Sequence, residues 1–381
     1  TSVARPLTAC WTRCRVVGEQ LKKGAWSSDA EDDYRCLVTT ALQWSTPDGG
    51  QLLTAKDASA AWSPDFLQAL LKLGGDAADR GAAGELFGKK LVATATSSSR
   101  PEPADHCEWA GLATMRTDWS RRTPMLGVDY SAQQVRIDFW NDRRRLVSGV
   151  WASQTTVDGK RRSYAGEWEE VCWESDDDVD YLELSVDLEG GGTLERQILL
   201  AHDEEFLLLA DNIQTDYGEQ IEHQWQVPLA AELHWLPEEE TCEGVIVADQ
   251  PRGRLYPLAL PEWRADSRVG RFTLVDGCLQ LEQRQRGRRL SAPVVIDFCR
   301  RRHSKECTWR QLTVAESLEQ VPRDVAVGYR WQAGKDQYLY YRSLAAAANR
   351  TLLGQNLACE CYFAKFLPPS GDVELLLEIE N

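Results

Sequence analysis

The sequence holds no apolar run of the roughly 18 residues that a membrane-crossing helix requires. It holds no P-loop, no GxGxxG behind a strand, no GxSxG and no HExxH, so the common signatures for phosphate cradles, dinucleotides, serine hydrolases and zinc proteases are missing. Nothing recurs at a spacing of roughly 20–50 residues, which argues against a propeller or solenoid. Positive charge is short: 43 Lys and Arg against 59 Asp and Glu leave a formal charge of −16. General affinity for nucleic acid or an anionic membrane is therefore not expected, and the acidity also serves solubility. The eleven cysteines form no CxxC pair, which weakens zinc-ribbon and thioredoxin readings. Most read as buried thiols acting as small hydrophobes, and this leans toward a reducing compartment. The chain opens at Thr1 with neither a charged n-region nor an apolar h-region, so processing or a longer polypeptide is expected.

What is present points first to sheets. In Asp180–Ile213, Leu182, Leu184, Val186 and Leu188 alternate with Glu183, Ser185 and Asp187, the period of a strand with one buried face. Gly190–Gly192 permit a tight hairpin. A second strand is expected at Thr193–Ala201 and a third, apolar on both sides and therefore doubly covered, at Glu205–Ala210. Together they make an antiparallel meander.

The fold class expected is α+β and multidomain: a short N-terminal helical region, 1–93, a linker, 94–106, and a large antiparallel β-sandwich, 107–381. Residues 1–45 read as helical, with Tyr34, Leu37, Val38, Ala41 and Leu42 on one stripe. Pro47-Asp48-Gly49-Gly50 has turn chemistry. Ser63-Pro64 caps a further helix that stops at Gly74-Gly75, and a last helix covers 76–89. The Ser/Pro/Thr-rich stretch 94–106 has no periodicity. From Cys107 onward strands alternate with turn signals such as Asp158-Gly159 and Asp276-Gly277, and two large packed sheets are the simplest arrangement.

The piece Trp109-Ala-Gly-Leu-Ala-Thr-Met-Arg116-Thr-Asp-Trp119 resembles the opening of the sandwich in heparinase II/III-like polysaccharide lyases. The Leu194–Ile213 block, an R-x-hydrophobic element followed by an A-D-x-hydrophobic one, is similar to that family as well, as is Pro47-Asp48-Gly49 at the end of its helical toroid. The resemblance runs from Thr46 to Asn212, and more loosely beyond. It implies an α/α toroid followed by an antiparallel sandwich, β-elimination on uronic-acid polysaccharides in a cleft between the two, and a periplasmic or secreted setting. The unpatterned cysteines point away from that setting. Where the family carries an H-G-H-x-D-like segment, this chain reads Asp129-Tyr130-Ser131-Ala132-Gln133-Gln134, and few helical residues precede the sandwich.

β-Elimination beside a carboxylate requires a group that neutralises the uronate, a base for the C5 proton and an acid for the leaving oxygen. Tyr130, where the family places its catalytic segment, and Tyr164, beside Arg161 and Arg162, are the tyrosine candidates, each against the plainer reading of a turn tyrosine. Arg116 is the clamp candidate against a structural contact to a carboxylate. Gln133, Gln134, Arg136, Arg161, Arg162 and Trp168 are candidate substrate contacts. His202, Asp203 and His223 compose the only plausible zinc set, with a core histidine as the default for His223; otherwise no cofactor is expected. Basic runs at 143–145, 160–162, 284–289 and 300–302 are solvated turns or, if clustered, a focused positive patch. The expected partner is an acidic polysaccharide, bound by a lyase; the alternative is a non-catalytic descendant of the same sandwich, a glycan-binding or structural protein that binds glycan or a protein partner. A homo-oligomer, or a second chain supplying more of the helical domain, belongs to the same expectation.

Overall fold

The computed structural model describes residues 4–21, 26–54, 61–88, 99–368 and 370–380. Two compact units emerge: Thr1–Asp129 with Arg136–Gly149, and Tyr130–Val135 with Val150–Asn381. Residues 94–98 of the expected linker lie outside the described residues. The change from helix to strand falls between Phe87 and Asp105, within a few residues of the sequence boundary. The first five strands nevertheless cluster with the helices.

In the first unit α1 spans Ala4–Gln20, α2 Ser28–Gln43, α3 Pro64–Leu73 and α4 Ala77–Phe87. Ser27 and Ser63 accept from the N–H groups of Ala30 and Phe66, and Asp76 forms a capping box with Asp79; each cap is worth about 1 kcal/mol. Gly74 ends α3 where a Cβ would lie 2.6 Å from the Tyr34 ring. Tyr34, Val38 and Leu42 of α2 pack on Leu67, Leu70 and Leu71 of α3 and on Ala82, Ala83 and Leu86 of α4. The 46–51 turn leads into Leu52 and Leu53, which join Trp44 in one apolar cluster with Met125 and Trp140. Those last two residues stand on adjacent strands of a five-stranded meander, Asp105–Cys107, Leu112–Arg116, Met125–Asp129, Arg136–Asn141 and Arg144–Val150. The shared cluster is the physical reason this sheet belongs with the helices.

The second unit is built on an eight-stranded sheet whose centre is Arg289–Asp297, Phe206–Gln214, Thr193–Ala201 and Val179–Asp187, in that order and antiparallel. Here the two-sheet expectation needs correction. Neighbouring side chains on a strand point to opposite faces, and both faces of this sheet are covered. On one, Trp225 of Gln220–Pro228 donates its Nε1–H to Ala292 O at 3.1 Å and His223 reaches Asp211. Those residues belong to a five-stranded sheet that also contains Ala152–Val157 and Cys278–Arg286. On the other, Phe206 packs on Trp331, Tyr338 and Phe363 of a second five-stranded sheet. The body is a sandwich with a third layer.

The third layer also explains why Val179–Asp187 does not keep a solvated face. Glu183 is buried, and Arg342 Nη2 meets its Oε1 at 2.5 Å, together with Glu195 at 2.8 Å and Glu360 at 3.2 Å. A charge at a strand position that reads as outward is here covered and paired. All eleven cysteines are free; four are buried, while Cys10, Cys14, Cys36 and Cys107 are exposed, so the expectation of mostly buried thiols holds for only part of the set.

Candidate active site

Tyr164 sits at the mouth of a polar chain that runs into the second unit. It is half-buried, and an isolated bridge to Leu188 fixes its backbone beside the 188–192 hairpin. Its hydroxyl lies 2.6 Å from Ser153 Oγ. Arg196 Nη2 donates to the same oxygen at 3.4 Å. Behind it, Arg196 Nε and Nη2 donate to the two carboxylate oxygens of Asp211 at 2.8 and 3.0 Å, and Nη1 donates to Trp151 O at 2.9 Å. His223 Nε2 is 3.0 Å from Asp211 Oδ2, and its Nδ1 is 2.9 Å from Thr155 Oγ1. Two indoles enclose the guanidinium, with Trp151 at 4.0 Å and Trp168 at 4.9 Å from Cζ, the planar stacking that suits arginine better than lysine. Burial pushes the Asp211 carboxyl up, but Arg196 and His223 together outweigh it and hold the group below its ordinary value.

Strand geometry accounts for this chain. Ser153 and Thr155 lie two apart on Ala152–Val157 and share its inner face. Arg196 and Asp211 are directly opposite in the hairpin Thr193–Gln214. Their pairing was implicit in the sequence, because both lie equally far from the turn at Asp203-Glu204. The arginine and aspartate of the family-like block were visible as a motif, but not as partners.

Several expected contacts converge here. Trp168 Nε1 donates to Gln133 O at 3.0 Å, which ties the 130–135 segment to the Tyr164 corner, and the Tyr164 and Trp168 rings meet edge to face at 5.5 Å. Gln133 and Gln134 are exposed. Arg162 stacks on Tyr217 at 5.1 Å and donates to its hydroxyl at 3.2 Å, while Arg161 remains exposed on the same short strand. Tyr130 is buried at 4% exposure.

Other expectations do not converge. Arg116 belongs to the first unit and is fully buried. Its Nη2 donates to Gln43 O and Ser45 O at 3.2 and 2.7 Å, and its guanidinium lies over the Trp119 ring. It is a packing arginine that binds main-chain carbonyls and also feels the carboxylate of Asp118. Arg136, also of the first unit, is exposed and donates to Leu53 O at 3.4 Å. The zinc set is not assembled: His202 Nε2 is 3.2 Å from Asp180 and His223 is held by Asp211 and Thr155. Among the described residues no group of three His, Cys, Asp or Glu side chains could hold a metal ion. Arg302 of the 300–302 run is no solvated turn residue either, since it is buried against Asp297 and Tyr338. No described helix is long and apolar enough to cross a membrane.

No protein-family profile matches the sequence, and no curated protein matches it. Solved structures match along most of its length. The crystal structure of a heparan sulfate lyase HepC mutant from Pedobacter heparinus superposes with a TM-score of 0.56 at 12% identity, covering 82% of this chain and 53% of that one. The crystal structure of heparinase III gives a TM-score of 0.59 at 9% identity, covering 90% and 59%. The chain therefore has the fold of the heparinase III structures, as the resemblance implied, and it spans a little over half of their length.

Proposed function

We propose that this chain acts on uronic-acid polysaccharide by lyase-type β-elimination at the Tyr164 corner, with heparan sulfate the first substrate to try, because a neighbour of the same fold is a heparan sulfate lyase. The observation that carries the reading is the half-exposed Tyr164 hydroxyl, bonded to Ser153 and one hydroxyl away from the Arg196 guanidinium. In the reaction, Tyr164 takes the proton from C5 of the uronate, and the electron pair becomes the C4–C5 double bond. The C4–O bond then breaks, and the leaving oxygen takes up a proton, which the tyrosine can return. Arg162, two residues away and register-paired with Thr155 on the face that carries Ser153, is the group to neutralise the uronate carboxylate. Gln133 and Gln134 offer amides to sugar hydroxyls.

A second reading, binding without turnover, is favoured by one observation. Arg116 and Tyr130, the other two catalytic candidates, are both buried. One assay separates the readings. Elimination produces an unsaturated uronate with a new ultraviolet absorbance, and the expected result is its appearance with heparan sulfate. Tyr164→Phe is expected to reduce kcat/KM by roughly a hundredfold or more with unchanged circular dichroism. If heparan sulfate and a panel of unsulfated uronate polysaccharides yield no absorbance, lyase activity is excluded for this chain and the binding reading stands.

A further inference from the structure

The basic run at 284–289 is not used by the Tyr164 corner, and it borders a cavity of its own. About 360 Å³ of space is lined by Gln283, Arg284, Arg286, Gln311, Arg323 and Tyr329, among others. Three arginines there face one carboxylate, Asp324, a local positive excess on a chain of formal charge −16. The wall is fixed by contacts. The hairpin turns at Gly287, whose φ of +120° suits glycine. Arg288 N–H donates to Asp324 Oδ2 and Arg289 Nη1 to Asp324 O, both at 3.4 Å. These bonds hold the loop that carries Arg323 against the hairpin that carries Arg286. Arg284 is partly committed to Glu222 at 3.5 Å. Arg286 and Arg323 make no ion pair among the described residues.

Two further observations identify the ligand. Gln283 is buried at 4% exposure; its Nε2 donates to Ser291 O at 2.8 Å, but its Oε1 has no partner. A buried acceptor left open is costly, and what it lacks is a donor. A simple oxyanion has none to offer, whereas a sugar hydroxyl does. A second cavity of about 300 Å³ shares Gln283 and Arg284 and is lined by Gln154, Thr156 and Gln224 on the outer face of the sheet. Its acids are engaged, Glu282 by Arg271 at 2.6 Å and Glu222 by Arg284. Guanidinium groups beside rows of neutral amides suit an extended ligand with oxyanions and hydroxyls. Tyr329 is buried and offers no ring face for a nucleobase.

We propose that this surface is a second carbohydrate site, meeting the polar chain behind Tyr164 only at His223, which borders the second cavity. It takes an acidic sugar whose sulfate or carboxylate rests on Arg286 and Arg323 and whose hydroxyl donates to Gln283 Oε1. The site requires no turnover, so it stands whether or not the chain is a lyase.

Calorimetric titration of the whole chain tests it with four probes: a sulfated uronate tetrasaccharide, an unsulfated uronate tetrasaccharide, a neutral glucose tetrasaccharide and inorganic sulfate. Binding is expected for one or both acidic sugars, weakened by salt. It should fall roughly tenfold or more in Arg286→Ala/Arg323→Ala, whose exposed positions leave the fold intact, and persist in Tyr164→Phe. Preference between the two acidic probes assigns sulfate or carboxylate as the recognised group. The proposal is overturned if neither acidic sugar binds, if the neutral sugar or inorganic sulfate binds as tightly as the acidic ones, or if Tyr164→Phe abolishes binding that the arginine pair does not affect.

Discussion

The same three residue types meet in both units. In the first, Asp138 lies 3.0 Å from Arg145 Nε and accepts from Arg145 Nη2 at 3.1 Å, with Arg145 over the Trp140 ring at 5.0 Å. In the second, Asp211 accepts from Arg196 at 2.8 and 3.0 Å, with Arg196 over the Trp151 ring at 4.0 Å. The two aspartates are nonetheless pushed in opposite directions. Burial raises Asp138 to about 6 in spite of Arg145, the Leu53 N–H and the Trp140 indole, whereas Asp211 lies below the ordinary value. The first arginine is 15% exposed, so water weakens its pull; the second is fully buried and is joined by His223. An Asp–Arg–Trp triad is thus not one device. Whether the carboxylate is favoured depends on how completely its cation is desolvated with it and on whether a second donor is present.

Removing each arginine is the strongest way to break the comparison. Arg196→Leu leaves Asp211 ionised and buried, and unfolding in urea at pH 7 should show a loss of about 3–5 kcal/mol. Arg145→Leu should cost less, about 1–2 kcal/mol, since Asp138 is already easily protonated and can neutralise itself. Equal losses would mean that the pKa contrast has no bearing on stability.

The pH dependence sharpens it next. Asp211 has a folded pKa below its unfolded value, so its contribution is full above about 3.9 and is lost as pH falls through the folded value; Asp211→Asn should flatten that acid limb. Asp138 works the other way. With a folded value of about 6 against about 3.9 unfolded, the folded chain binds the extra proton between them, so stability falls as pH rises through that window. Asp138→Asn should remove about 2–3 kcal/mol of variation there, read from urea midpoints at pH 4, 5, 6 and 7. A variant profile parallel to wild type would refute the assignment.

Much of the architecture was legible and most of the polar interior was not, for one physical reason. Period-two alternation and turn residues located the 180–213 meander, and Ser63-Pro64 and Gly74 bounded α3. The same rule assigns Glu183, Arg196 and Asp211 to water, because alternation cannot tell a solvated face from one covered by another layer. Only the partners, Arg342 from one sheet and His223 from another, make those charges tolerable inside, and both lie far away in sequence. Tyr164 and Trp168 became candidates because they follow the basic run at 160–162. Ser153, the hydroxyl that links Tyr164 to the arginine, carries no mark of its own in the sequence.

The smallest expected effect isolates what the second unit has and the first lacks. His223→Gln keeps an amide within reach of Thr155 and Asp211 but removes the imidazole that bridges them. Alone it should change stability at pH 7 by no more than about 1 kcal/mol, because Arg196 still holds both oxygens of Asp211. Its consequence should appear only in combination. In Arg196→Leu/His223→Gln the loss at pH 7 should exceed the sum of the two single losses, because the second partner of Asp211 matters most once Arg196 is gone. If the two losses simply add, His223 does not share the work of Arg196, and the contrast between the two triads needs another cause.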